Sequence, residues 1–485
     1  MHSQSMSSPV FVSISRSRFA LPLLLSMMCA AVAPAQSVFN VSDTNGNFNA
    51  NATWVRLSGT GTQPAPSDQI VITSSDLNKD IEVAFPNNGT VASLTYGTAD
   101  GATDITRNIV FRGSGDVAHS LTITGDLTKY DSGTLTFRHR GSSGGELNLA
   151  IGGDVNLYAG TLNFGIDASG TRHLSNVSVG GVTQISGGTL NLRLFTDSSL
   201  GTLVLNGGAL NLNAGGVVNG NRTISVRSLS GTGGTIGETT SGTGATFTLA
   251  ITGETGDTAD TVRTYSGAIT NGTGTGAVAL KKTGVATQIF AGANTYEGGT
   301  TIEQGTLMVT GSLAATGDVS VSSNATFAAG TALTVNNVAL ASGAILGLDL
   351  GANASLSIAG NLVQNGTGEA TFTVDFLGTG ATGVDYTNLL SVVGTNAFAD
   401  ATLNYVNFGA EKLSGTLTFA ELAGVFSVAA GNIPEPTTFA VLLGVCALAL
   451  AIRLPKTTPL TTPPPPPPAP PPPPLPLPQP PYENL

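Results

Sequence analysis

The chain has 485 residues, a net charge of −11 and only 10% charged residues, while glycine alone contributes 63 positions. The shortage of Glu, Lys and Arg excludes a helical bundle or a coiled coil, which requires these residues together with Leu at helical spacing. The 19 Lys and Arg residues are too few and too scattered to form the basic face that displaces counterions from nucleic acid, so we expect no nucleic-acid partner.

The N-terminal 35 residues have the three parts of a secretory signal peptide. Two arginines supply the positive charge, and an apolar stretch runs from Phe19 to Val32. Ala33 and Ala35 place small residues at the two positions that a signal peptidase recognises, which predicts cleavage after Ala35. The alternative is a membrane anchor, but about 14 apolar residues fall short of the ~20 that span a bilayer. We therefore expect residues 1–35 to be removed and the mature chain to be exported.

Residues 36–115 are predicted to form an N-terminal β region that caps the fold. This region contains Trp54, the single tryptophan of the chain, which we interpret as a core or capping aromatic rather than as a carbohydrate platform. Alternating runs over 69–73 and 91–96 predict two of its strands.

The body of the chain repeats a short strand that follows a glycine turn. In each copy the third and fifth residues are apolar and the fourth is mostly Thr or Asn, so one side of the strand is apolar and the other is polar. One strand cannot bury its apolar stripe alone, whereas stacked copies close a continuous core. The clearest copies are Gly133–Phe137, Gly145–Leu149, Gly160–Phe164, Gly188–Leu192, Gly208–Leu212 and Gly305–Val309.

This pattern predicts an all-β fold, a right-handed parallel β-helix that occupies residues 116–339. A set of glycine-rich β-sandwiches is the alternative. The sequence leaves open whether the Asn residues form inward ladders or face solvent.

A more specific pattern lies within the body at about residues 264–309. The segment Leu280–Gly284 is followed by a turn at Phe290–Tyr296, by Gly298–Ile302 and by Gly305–Leu307. This order resembles the autotransporter-associated β-strand repeat, with Lys282 in place of the usual Thr. The resemblance implies a passenger-type β-helix on a bacterial surface.

The residues that match the repeat motif suit structural roles. Asn294 and the pair Gly298 and Gly299 favour tight corners, and Tyr296 is expected to cap an edge of the apolar core. Gly305 opens the last strand of the repeat. No member of the motif is expected to be catalytic.

Residues 340–430 contain longer and more apolar runs, such as Ala344–Leu350 and Gly415–Phe419. We interpret them as the last coils of the β-helix with a cap, or as a small separate β domain. A cap is expected because the open end of a β-helix exposes unpaired strand edges.

Residues 433–456 combine a proline-rich tripeptide, an apolar run and a basic pair. As a helix, the run is marginally long enough for a ~30 Å hydrocarbon core, and the basic pair beyond it places the body outside the cell. The features are the tripeptide Pro434, Glu435 and Pro436, the run from Phe439 to Ile452, and the basic residues Arg453 and Lys456.

This arrangement resembles a PEP-CTERM sorting signal. The resemblance implies a single C-terminal transmembrane helix, initial anchoring in the inner membrane, and an exosortase as the partner that processes the signal. The alternative is a simple single-pass membrane protein. Residues 457–485 follow as a proline-rich tail, which adopts polyproline II and cannot build a core. We expect it to be disordered, the alternative being a ligand for a proline-binding module.

Residues that carry chemistry are sparse. Cys29 and Cys446 lie in the apolar terminal segments, so the body contains no disulfide, cysteine–zinc site or thiol nucleophile. No Ser-His-Asp pattern, nucleotide loop or metal-binding His pair is present. We therefore predict a protein that is not an enzyme, with no cofactor and no metal.

Two groups of charged residues require an interpretation as binding sites or as structural residues. Arg138 and Arg140, with Arg172 on a neighbouring coil, are a candidate site for an anionic polymer, although a solvated strand edge is the simpler interpretation. Asp126 and Asp154 follow glycines and are interpreted as turn residues. The predicted function is that of a structural or adhesive protein of the cell surface or extracellular matrix, with exopolysaccharide or other surface polymers as partners. A polysaccharide lyase or hydrolase on a β-helix scaffold is the alternative; it requires several acids or bases that converge in a groove.

Overall fold

The structure is a computed structural model, which describes residues 36–428 apart from 42–45, 48–53, 74–80, 86–87, 101–104, 107, 115–117, 141–146, 166–175, 195, 213–219, 240–243, 273–275 and 368–370. The chain divides into two units, Met1–Ser427 and Val428–Leu485. The predicted signal peptide, the sorting signal at 433–456 and the tail at 457–485 all lie outside the described residues.

The described chain winds through three parallel sheets, which we call the first, second and third faces. Successive coils stay in register on the first face, where Leu127 pairs with Val155, Val155 with Thr183, and Thr183 with Leu203. This face contains Val38–Val41, Gln69–Ile72, Ser93–Tyr96, Leu127–Lys129, Val155–Leu157, Val182–Ile185, Thr202–Leu205 and Leu229–Ser230.

A bridge between Gly231 and Tyr265 joins the first face to the sheet that follows it along the chain. That sheet, the later sheet, is parallel up to its last strand. Its members are Val262–Tyr265, Thr287–Phe290, Thr306–Val309, Thr326–Ala329, Ile345–Asp349, Thr373–Leu377, Thr402–Phe408 and Leu413–Thr418.

The second and third faces contain the remaining strands of the coil. The second face contains Gly46–Asn47, Ile81–Phe85, Asn108–Ser114, Thr134–Arg140, Thr161–Phe164, Thr189–Leu192, Ala209–Asn211, Thr235–Gly237 and Ala268–Ile269. The third face contains Gly89–Val91, His119–Ile123, Leu147–Ile151, Asn176–Val179, Ser198–Ser199, Arg222–Val226, Thr246–Ile251, Ala277–Lys282, Thr300–Ile302, Val319–Val321, Val338–Ala341 and Leu362–Asn365. A separate three-stranded sheet is formed by Ala332–Val335, Ser355–Ile358 and Leu390–Val392.

The core is a set of columns in which one apolar side chain from each coil stacks on the next. On the second face, the buried column consists of residues between 20 and 33 positions apart in sequence. Because the strand period is two, the neighbours of these residues point away from the core, and burial of each Leu or Ile contributes roughly 1.5–3 kcal/mol. The members are Leu135, Leu162, Leu190, Leu210, Ile236 and Ile269.

Antiparallel strands close the described coil at both ends. At the N-terminal end, Val38–Val41 pairs antiparallel with Trp54–Ser58, and Trp54 is buried. At the C-terminal end, Thr402–Phe408 pairs antiparallel with Leu413–Thr418. A short helix, Phe419–Ala423, follows.

Three smaller elements complete the described chain. Tyr386–Thr387 pairs antiparallel with Val425–Phe426, and a 3₁₀ turn covers Leu350–Ala352. The helix Phe419–Ala423 begins with a capping box, in which Thr418 and Glu421 bond each other's backbone N–H groups.

The all-β architecture with parallel sheets is consistent with the predicted β-helix, but the fold prediction was wrong in adding a transmembrane helix. Within the described residues, the structure contains no helix of the length and apolar character that crossing a membrane requires. The segment Phe439–Ile452, on which that helix was predicted, lies outside the described residues. Anchoring in the inner membrane is therefore not supported either. The apolar run alone suggested a helix, and its length was marginal for a bilayer.

Candidate functional site

Asn294 of the repeat motif is a buried corner residue that bonds three successive coils. Its amide oxygen accepts a hydrogen bond from the backbone N–H of Ile269 at 3.0 Å. Its amide nitrogen donates to the carbonyl oxygens of Gly292 at 3.0 Å and Ser312 at 3.1 Å. Because every polar atom of the side chain has a backbone partner, Asn294 can be buried at this corner without a desolvation penalty.

The other motif residues shape the same part of the coil. The buried Tyr296 hydroxyl shares a 2.8 Å hydrogen bond with the Thr300 hydroxyl, and burial raises the pKa of Tyr296 above its ordinary value. A Cβ atom on Gly298 would lie 2.6 Å from the carbonyl oxygen of Val278, so only glycine fits there. Gly299 and Gly305 have φ angles of +88° and +68°, which glycine adopts without strain.

Next to this repeat lies a group of five ionic side chains, which we call the internal charged cluster: Arg227, Glu254, Asp257, Arg263 and Lys282. Arg263 and Asp257 form a bidentate pair, with N–O distances of 2.6 and 3.0 Å. Asp257 also accepts the backbone N–H of Glu254 at 2.8 Å. These bonds, first of all those from Arg263, hold the pKa of Asp257 below its ordinary value.

Glu254 joins the cluster to the preceding coils. Its carboxylate lies 3.3 Å from Arg227 and accepts hydrogen bonds from the hydroxyls of Thr202 and Ser228. Burial alone would raise the pKa of Glu254, but the two hydroxyls and the Arg227 charge outweigh burial and lower it. Arg227 also donates to the carbonyl oxygens of Gly180 and Gly181, both at 2.8 Å.

Lys282, a charged residue of the repeat motif, is 1% exposed. Its ammonium group donates to the carbonyl oxygen of Gly284 and, at 3.3 Å, to that of Gln304. Burial lowers the pKa of Lys282 to about 8; the Asp257 charge opposes this shift and the Arg263 charge adds to it. The lysine therefore supplies hydrogen bonds to two corner carbonyls.

The internal charged cluster is unsuited to catalysis on a polymer. The space between its side chains is about 10 Å³, which is about the volume that one water molecule needs. Both acids are paired with arginines, and both have lowered pKa values, whereas a general acid needs an accessible carboxyl with a raised pKa. Within the described ranges, no three His, Cys, Asp or Glu residues are grouped to hold a metal ion.

The outer surface of the third face contains a shallow cleft of about 520 Å³. Its lining includes the hydroxyls of Thr248, Thr301 and Ser320, together with Asp318 and Asn337. Asp318 is occupied as an acceptor for the side-chain amides of Asn336 and Asn337, at 2.8 and 2.9 Å. The cleft thus offers hydroxyl and amide groups, together with the ammonium group of Lys281 and several apolar side chains.

A ladder of amides crosses the second face on the side away from the core. Asn163 donates to the Thr136 hydroxyl at 3.1 Å, Asn191 donates to Asn163 at 2.9 Å, and Asn211 donates to Asn191 at 2.5 Å. The Asn residues therefore do form a ladder, but on the outward side of the sheet and not on the inward side.

The charged residues that the sequence singled out lie apart from the internal charged cluster. The carboxylate of Asp126 accepts the backbone N–H of Asp154, and that of Asp154 accepts the N–H of Val182, as expected for turn residues. Arg138 lies on the second face, half-buried. Arg172 and the side chain of Arg140 lie outside what the structure describes, so the proposed arginine group stays a prediction.

Sequence reasoning missed the internal charged cluster because its members come from several coils. Thr202, Ser228 and Glu254 are each about 26 residues apart, a separation set by loop lengths and not by the strand pattern. The available signal was the pair Lys281 and Lys282, because the strand period of two places one of two adjacent lysines on the buried side.

Comparison with known proteins agrees with the repeat seen in the coil. Residues 280–309 match the passenger-associated-transport-repeat family. No curated protein and no solved structure gives a significant match. The resemblance to autotransporter-like β-strand repeats is thereby confirmed for this segment, and the parallel coil that carries it fits an exported surface protein. The resemblance to a PEP-CTERM signal stays a prediction.

Proposed function

We propose that this chain is a non-enzymatic, structural or adhesive protein of the bacterial cell surface or extracellular matrix. The supporting observation is the passenger-type repeat at 280–309, which lies inside a continuous stack of parallel coils. Its partners are exopolysaccharide or other surface polymers.

The chemistry of the coil supports such a role. Ionic groups are placed between coils, as in the internal charged cluster, while the outward surfaces carry hydroxyl and amide groups. Each contact of such a group with a polymer is weak because water competes for it. Regular repetition along one rigid body lets many weak contacts act together.

A carbohydrate-active enzyme on the same scaffold requires acids or bases that converge in an open groove. Five ionic side chains do converge in the internal charged cluster, but they leave only about 10 Å³ between them. We therefore favour the non-enzymatic function. The test is to incubate the full chain with polysaccharides. We expect no shorter products, and their appearance would contradict this preference.

The proposal includes processing by an exosortase at Pro434, Glu435 and Pro436, which rests on the sequence motif alone. Mass spectrometry of the native C-terminus tests it. A mature chain that ends near Pro436 is the expected result, and a native chain that still ends at Leu485 would contradict it.

Surface location is tested on the bacterium that makes the protein, with an antibody against the full chain. We expect intact cells or their matrix to be labelled, and brief treatment of intact cells with protease to remove the label. A cytoplasmic protein whose label appears only after permeabilisation serves as the control. If this chain behaves like that control, the proposed function is wrong.

A further inference from the structure

The corner that follows the first face carries a pair of stacked aromatic rings. Tyr130 and Tyr158 occupy equivalent positions on successive coils, since Lys129 pairs with Leu157. Their ring centroids are 4.9 Å apart and their planes differ by 9°. Tyr158 is 42% exposed, although transfer of an aromatic ring of this size out of water lowers the free energy.

Small residues bound this ring pair on both sides. Tyr96 pairs with Lys129, which places Gly97 before Tyr130 in the column, and Leu157 pairs with Ile185, which places Ser186 after Tyr158. The column therefore contains two adjacent rings without an aromatic neighbour on either side. The ring of Tyr158 is left accessible beside a serine rather than covered by a third ring.

A row of uncharged polar side chains runs beside the rings. Thr128, Asn156 and Gln184 lie on three successive first-face strands, each two residues before the corner, and each is half-buried with its neighbours facing inward. The amide of Gln184 donates to the Ser186 hydroxyl at 3.1 Å. Rings and amides thus form one narrow strip along the direction in which the coils stack.

We propose that Tyr130 and Tyr158, with Asn156 and Gln184 beside them, bind a neutral polysaccharide chain; this rests on the proposed surface function. A sugar ring has flat faces of C–H groups, which suit an aromatic ring, and a rim of hydroxyls, which needs amide and hydroxyl partners.

Charge argues for a neutral rather than an acidic polymer. Asp126 and Asp154 each lie four residues before a tyrosine of the pair, roughly 13 Å along the strand. The chain as a whole carries a net charge of −11. An acidic polysaccharide would be repelled by both, whereas a neutral one is unaffected.

The test is affinity electrophoresis of the purified full chain in gels that contain dextran, hydroxyethylcellulose or galactomannan, with alginate as the acidic polymer. We expect retardation by at least one neutral polymer and none by alginate. Tyr158→Ala should weaken the binding about tenfold, and Tyr130→Ala with Tyr158→Ala should abolish it. Tyr158→Phe keeps the ring and should keep the binding.

The matched control is Leu57→Ala, which shortens an exposed side chain on the strand Trp54–Ser58. Far-UV circular dichroism of each variant excludes unfolding as the cause of lost binding. Absence of retardation by all three neutral polymers, retardation that the Tyr→Ala variants leave unchanged, or stronger retardation by alginate would overturn the proposal. A chain that labels intact cells but fails this test retains the proposed function, whereas failure of surface labelling removes that function whatever the gels show.

Discussion

Arg263 bonds Asp257 through both terminal nitrogens of its guanidinium, at 2.6 and 3.0 Å. Asp257 lies on the connection that leads from the third-face strand Thr246–Ile251 to the strand Val262–Tyr265, and Arg263, six positions later, is the second residue of that strand. This is the connection at which the first face gives way to the later sheet. The pair therefore fixes the path of the chain where one sheet ends and another begins.

Asp257→Asn is expected to lower the free energy of unfolding by about 1–3 kcal/mol. The substitution leaves Arg263 and the buried Lys282 without the negative charge of Asp257. The expected loss of free energy of unfolding lies between the losses typical of an exposed and of a buried ion pair. Urea denaturation of the full chain measures it.

The matched control is Glu303→Gln, which removes the exposed ion pair with Lys281. It should cost less than about 0.5 kcal/mol. Equal effects of the two substitutions would show that the internal charged cluster contributes no more than a surface pair.

Lys282 should make the protein more stable as the pH rises from about 8 to 10. Its folded-state pKa of about 8 lies below the value of 10.5 for an exposed lysine, so over this range the unfolded chain binds more protons than the folded chain. Lys282→Met removes this dependence, and thermal unfolding at pH 7, 8, 9 and 10 measures it.

The control for this measurement is Lys281→Met, because Lys281 immediately precedes Lys282 and its side chain is exposed. That variant should retain the rise in stability. The range stops at pH 10 because the raised pKa values of the buried Tyr265 and Tyr296 act in the opposite direction above it. A wild-type chain whose stability is flat from pH 8 to 10 would contradict the burial of a titrating lysine.

Acid should act on the cluster through Glu254. The folded-state pKa of this carboxyl is lowered, so it contributes stability above its unfolded pKa, 4.5, that is lost as the pH falls through the folded value. In the Glu254→Gln variant, the free energy of unfolding is expected to depend less on pH between about 5 and 3. The variant should also be less stable than the wild type at pH 7. Chemical denaturation at pH 7, 5, 4 and 3 checks this, and a variant with an unchanged pH profile would refute it.

Asn191 occupies the middle of the amide ladder, donating to Asn163 and accepting from Asn211. Asn191→Asp removes the donor and places a charge on a half-buried position, so we expect a loss of about 1–3 kcal/mol at pH 7. Asn206→Asp is the control, because Asn206 is exposed and only accepts, from Thr232. Urea denaturation of both variants should separate them, and similar values would mean that the ladder adds no stability.

The strand pattern could be predicted because it depends on neighbours in sequence. Leu135, Leu162, Leu190 and Leu210 each stand two residues after a glycine, and their burial follows from the strand period and the need to cover an apolar stripe. The prediction of a transmembrane helix was wrong because it inferred a membrane span from an apolar run whose length is only marginal for a bilayer.

What could not be predicted depends on which coils lie next to each other. The Asn ladder needs Asn163 beside Asn191, which are 28 positions apart, and Asn191 beside Asn211, which are only 20 apart. Connections of unequal length account for this difference, so no fixed sequence period predicts which Asn residues become neighbours. For the same reason the ion pair between Arg227 and Glu254 could not be predicted from the sequence.

The strands Trp54–Ser58 and Leu413–Thr418 both run against the direction of the strands they join. A strand that is antiparallel to one neighbour can still pair in parallel on its other side, as Val38–Val41 does with Trp54–Ser58 and Gln69–Ile72. Each of these end strands therefore keeps one edge whose backbone donors and acceptors can pair with a further strand. In molecules crowded at high local density, these two edges are the places where end-to-end association would begin.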